Sequence, residues 1–202
     1  VDVIFDVVGY YQPAFGVGDG LVPLAPHRLF DSRASTQLGP YNTPWGPGTS
    51  RPVTVAGLGG IPADADAVVL NVTVTSTTAA SFLTLSPAGQ PRPLSSSLNW
   101  SAGQTIPNAV VAKVGTGGQI DVFNNAGTAD VILDVAGYFA KGTGAQFHPL
   151  TPTRTLDSRP ASKVGPYDTP WGPQTARSLA VAGGATVPAS AVAVQHNMTV
   201  TD

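Results

Sequence analysis

Residues 67–75 read AVVLNVTVT, and from Leu70 onward apolar and polar positions alternate. Val68, Leu70, Val72 and Val74 fall on one side of the alternation, and Asn71, Thr73 and Thr75 on the other. A period of two predicts a strand with one buried face and one wet face. Runs of the same kind recur in RPVTVAG, SFLTLSP, NAVVAKVG, QIDVFNN and ADVILDVAGYF. Between them stand SPAGQPRP, GTGG and NNAG, rich in the residues that turn a chain. No stretch carries the apolar stripe of a helix. Roughly eight or nine short strands in about 120 residues predict an all-β fold, a β-sandwich with Greek-key or jelly-roll wiring. A closed β-barrel is the other solution that pattern allows.

The pattern also repeats. LFDSR at 29–33 returns as TLDSR at 155–159, an offset of about 126 residues. The same offset carries Tyr41 to Tyr167, Trp45 to Trp171, Arg51 to Arg177 and LNVTVT at 70–75 to HNMTVT at 196–201. VDVIFDVVGYY at the start matches ADVILDVAGYF at 129–139. The phase predicts that residues 1–11 are the last strand of a preceding repeat. Residues 20–140 then form a complete repeat and 147–202 the first part of the next. The expectation is a window on a longer tandem array, with neighbouring molecules completing each other's ends as the alternative. The connections at 12–20 and 140–146 are expected to set the geometry between repeats.

These elements, LNVTVT and DVAGYF above all, resemble a repeat module of secreted and surface proteins of actinobacteria and other bacteria. The resemblance spans the chain, except for the loop GPYNTPWGP at 39–47 and its copy GPYDTPWGP at 165–173. It implies an extracellular or cell-surface location and a structural or adhesive role without catalysis. It carries no active site with it.

Composition narrows the field further. Charged residues make up 11% of the 202, against about 25% in ordinary soluble domains, so Thr, Ser, Asn and Gln must supply the polar surface. A net charge of -2 gives no basic patch for nucleic acid, and no apolar run reaches a membrane span. With no cysteine, disulfides and thiolate metal sites are excluded.

Candidate chemistry is sparse. Arg28, Asp31 and Arg33 return as Arg154, Asp157 and Arg159, and Asp6 returns as Asp134. A calcium loop would gather several oxygen ligands at short spacing, and none is gathered here. In so uncharged a chain the recurring residues predict a structural ion-pair network, since a buried charge needs a partner. His27, His148 and His196 have no His at the equivalent repeat position, so no zinc set and no cofactor is expected. Asn71, Asn99 and Asn197 begin N-x-Ser/Thr sequons and are candidate glycan acceptors.

Prolines in the nine-residue loop stiffen it around its two rings. Tyr41, Trp45, Tyr167 and Trp171 are therefore expected to make contacts at junctions between modules or subunits. Stacking on a polysaccharide is the alternative. The partners this predicts are further copies of the same repeat.

Overall fold

The computed structural model describes residues 1–13 and 19–201. The expected connection at 12–20 lies largely outside the described residues. Among those described there are eleven strands, two 3-10 turns at Thr116–Gly118 and Pro160–Ser162, and no α-helix. The fold is all-β.

The strands are β1 (Asp2–Pro13), β2 (Asp19–Asp31), β3 (Thr49–Thr54), β4 (Ala67–Thr75), β5 (Ser81–Pro87) and β6 (Leu98–Trp100). After these come β7 (Ile106–Lys113), β8 (Gln119–Asn124), β9 (Asp130–Lys141), β10 (Ala145–Asp157) and β11 (Ala193–Thr201). By hydrogen bonding they form a seven-stranded sheet, β11-β1-β10-β2-β9-β4-β7, and a four-stranded one, β3-β8-β5-β6. The chain divides into two compact units. A central unit spans Val22–Thr143, and a split unit joins Val1–Leu21 to Gly144–Asp202.

In the central unit both sheets contribute to one apolar core. Val68, Leu70, Val72 and Val74 of β4 share it with Val131, Leu133 and Val135 of β9. Val53 of β3, Leu83 of β5 and Ile120 and Val122 of β8 come from the other sheet. The alternation at 67–75 thus places its apolar residues inward, while Asn71 stays exposed. β4 pairs with β7 on one side and β9 on the other, and a bulge at Val69/Leu70 sets Gly137 opposite Val69 and Val135 opposite Leu70.

In the split unit β1 lies between β10 and β11, antiparallel to both. Residues 1–11, read as the tail of a preceding repeat, are thus packed with residues 144–201. The bulge recurs: Val7 faces His196 and Gly9 faces Gln195. Gly9 fits here without a side chain: a Cβ would meet the Phe147 ring and stand 2.9 Å from the His148 carbonyl oxygen. Residues 175–180, the counterparts of β3, form no strand. In the central unit β3 takes its ladder from β8.

Candidate functional site

The recurring charged residues meet where β2 ends beside β9. Asp31 is the last residue of β2 and is fully buried. Its backbone exchanges hydrogen bonds with Leu38, closing a tight loop over 32–37 that carries Arg33 back onto it. Arg33 donates from Nε to Oδ1 at 3.0 Å and from Nη2 to Oδ2 at 2.7 Å, and its amide donates to Oδ1. The Thr36 hydroxyl and Arg28 Nη1 also donate to Oδ2. Arg28 reaches across the ladder as well, with Nε 2.9 Å from Asp134 Oδ1. One residue on, the Ser32 hydroxyl donates to Asp130 and accepts from the Val131 amide. The two-pronged arginine contacts are the strong form of this interaction, because donor and acceptor planes match.

Burial pushes the Asp31 carboxyl up. The Arg33 side chain and amide, Thr36 and the Arg33 charge outweigh that and hold it at about 2. The Arg33 guanidinium is itself raised, chiefly by its hydrogen bond to Asp31.

The split unit repeats this arrangement bond for bond, with β1 in the role of β9. Arg159 grips Asp157 through Nε at 2.9 Å and Nη2 at 2.7 Å. Arg154 donates to Asp157 at 3.1 Å and, through Nε at 2.8 Å, to Asp6. Ser158 donates to Asp2 and accepts from the Val3 amide. The Arg159 hydrogen bond chiefly holds the Asp157 carboxyl well below the usual range, against its desolvation. For Asp6, the hydrogen bond from Arg154 is the main lowering cause.

The proline-locked loop belongs to the same construction. Trp45 exchanges backbone hydrogen bonds with Ala129, the residue before β9, and Trp171 does the same with Val1, the residue before β1. In the central unit the Trp45 ring is fully buried, with Nε1 donating to the Val122 carbonyl at 2.8 Å. Phe30 meets it edge to face at 5.4 Å, and Tyr41 does so at 5.6 Å. The Arg51 guanidinium lies 4.7 Å from the Trp45 ring centre while donating to the carbonyls of Thr43 and Pro44. Tyr41 closes the loop by donating to the Pro52 carbonyl. In the copy, Arg177 lies 4.3 Å from the Trp171 ring and Tyr167 donates to Ser178.

The sequence places Trp45 at a junction between modules; the structure corrects this. Its ring is spent inside its own unit, because the indole N–H needs a buried acceptor and finds one on β8. Tyr41, Tyr167 and Trp171 are half-buried against their own loops.

The remaining candidates are dispersed. His27 contacts the Ala25 carbonyl, His148 stacks on Tyr10 and His196 tilts against Phe5. Among the described residues, no three His, Asp or Glu side chains converge as metal ligands would. Asn71, Asn99 and Asn197 are exposed, and Asn99 donates to the Ser96 hydroxyl. An open groove of about 550 Å³ beside β5 and β7 is lined by Pro87, Gln90, Pro93, Lys113 and Thr116.

The arrangement can hold a strand. What sequence reasoning missed is that the ion pairs and the aromatic loop form one clasp around it. The signal was present, since Asp130 and Asp134 share the offset of Asp2 and Asp6. Comparison with family models, curated proteins and solved structures finds no match to this chain.

Proposed function

We propose that this chain is a non-catalytic structural or adhesive repeat module of a bacterial exterior. Each repeat is a β-sandwich of about 126 residues, strung in a tandem array or filament. The observation that carries this reading is the duplicated strand clasp. The recurring Arg and Asp residues at the strand ends are consumed in holding strands together, with Arg28, Arg33, Asp31 and Asp134 joined in one hydrogen-bonded network. Acid–base chemistry needs a group free to move a proton, whereas Asp31 is held in its charged form by Arg33 and Thr36. Repetition of a clasp instead suits a part whose task is to be built again and again.

An antibody to the loop at 36–47 tests the reading on intact cells of the source organism. Surface labelling, with extended particles in electron micrographs of native material, is the expected result. Signal confined to the cell interior would overturn it.

A second reading, a carbohydrate-binding accessory module of a secreted hydrolase, draws on the aromatic group at the end of β1. Tyr10 stacks on His148, and Tyr11 lies 5.2 Å from Phe147, which is 45% exposed. Retention of the chain on insoluble polysaccharide, abolished by Phe147→Ala, would favour it.

A further inference from the structure

β11 repeats the sequence of β4 with one change of chemistry. LNVTVT at 70–75 becomes HNMTVT at 196–201, so His196 stands where β4 has Leu70. Leu70 is 1% exposed and belongs to the apolar core of the central unit. In the split unit His196 lies opposite the fully buried Val7, and its ring tilts against Phe5 at 5.4 Å between centres. Its Nδ1 is shielded from solvent and has no hydrogen-bond partner among the described residues. A neutral imidazole tolerates that as one unmade bond. An imidazolium would have to bury a charged N–H there without an acceptor, which is far more costly.

The charged groups of the elements around it are already engaged. On β1, Asp2 and Asp6 are held by Ser158 and Arg154. On β10, Arg154 also holds Asp157, which Arg159 grips as well, and His148 stacks on Tyr10. Between β10 and β11, Lys163 pairs with Asp168, and Arg177 lies over Trp171. Residues 178–192 contain no ionisable side chain, and Gln195 and Asn197 beside His196 are neutral. The Phe5 ring attracts a cation but replaces little of its water. Desolvation accordingly lowers the pKa of His196 from its ordinary 6.5.

We propose that His196 makes the pairing of β11 with β1 a pH-sensitive latch, closed at neutral pH and loosened in mildly acidic surroundings. A group whose pKa falls on folding adds stability that is complete above its unfolded value and is lost as pH drops through the folded one. The loss therefore begins near 6.5. Asp6 and Asp157, also lowered, begin to act only near their ordinary 3.8, so the two windows are separate. The inference rests on one strand pair and not on the surface role.

Nuclear magnetic resonance on the isotope-labelled full chain tests it. Imidazole shifts give the titration of each histidine. Amide exchange at about pH 7.5 and about pH 5, corrected for the intrinsic rate, gives the protection of each strand. His196 should titrate below 6.5. Protection in β11 should fall about three-fold or more between the two conditions, while β4 and β9 hold theirs. His148→Gln should keep that loss, and His196→Leu should abolish it. Three results overturn the proposal: a His196 that titrates at or above 6.5, a β11 whose protection does not fall in the parent, or an equal fall in His196→Leu.

Discussion

The two units carry the same clasp with different cover. In the central unit Val72 and Val74 are fully buried; their counterparts Met198 and Val200 in the split unit are 62% and 55% exposed. Trp45 is sealed, while Trp171 at the same place is half-buried. The hydrogen-bonded frame nonetheless differs by no more than a few tenths of an ångström at its central contacts: Arg33 and Arg159 each reach their aspartate at 2.7 Å. Polar pairing between neighbouring strands is therefore set locally, by residues that the repeat supplies twice. Burial is not local. In the central unit it comes from the β3-β8-β5-β6 sheet, which shares the core with β4 and β9.

Substitution at the paired tryptophans should break the comparison most visibly. Trp45→Ala removes a sealed ring and its hydrogen bond, and should cost the central unit about 3–5 kcal/mol. Trp171→Ala should cost about 1 kcal/mol, since much of that ring remains in water. Urea titration followed by circular dichroism separates the two. Equal losses would mean that cover does not distinguish the units.

Arg33→Met tests the clasp itself. It strips two donors from a fully buried carboxylate and should cost about 2 kcal/mol, with Arg28, Thr36 and the backbone amide still attached. Calcium or EDTA should leave the melting temperature of the parent chain unchanged; a shift restored by calcium would reassign these residues to a metal.

The valine pair gives a gentler contrast. Val74→Ala should lose about 2 kcal/mol, two buried carbons and the space they leave. Val200→Ala should fall within about 0.5 kcal/mol of the parent.

A further test is in pH. Asp31 is held at about 2 in the folded chain against an ordinary value of 3.8. A carboxyl lowered on folding adds stability that is complete above its unfolded value and is lost as pH falls through the folded one. The melting temperature of the parent should thus drop between about pH 4 and pH 2, and Arg33→Met should flatten that slope.

Much of the fold was legible because strand alternation is a local property. Residues 67–75 needed nothing from elsewhere to announce which face turns inward. The pairing of Arg with Asp was legible for a similar reason, since few other charges were there to compete. Two things were not. The repeat offset identifies residues 1–11 as a closing strand but is silent on which unit they close, because any copy of the slot accepts the same aspartates. The nine-residue loop looked outward because its prolines fix the backbone, yet they leave χ1 of Trp45 free. The ring's direction is decided by the Val122 carbonyl and the edge of Phe30, residues far away in sequence.

The place of β1 also sets an order of events during synthesis. Within residues 1–202, β1 is made before the central unit and its two neighbours, β10 and β11, after it. The central unit gathers its strands from one continuous stretch and can close while the rest is still being made. The pairing of β1 with β10 and β11 therefore forms only after the central unit has been made, and an unpaired strand edge invites pairing with any strand of matching pattern. The order of synthesis thus lets the central unit close before the split unit can be completed.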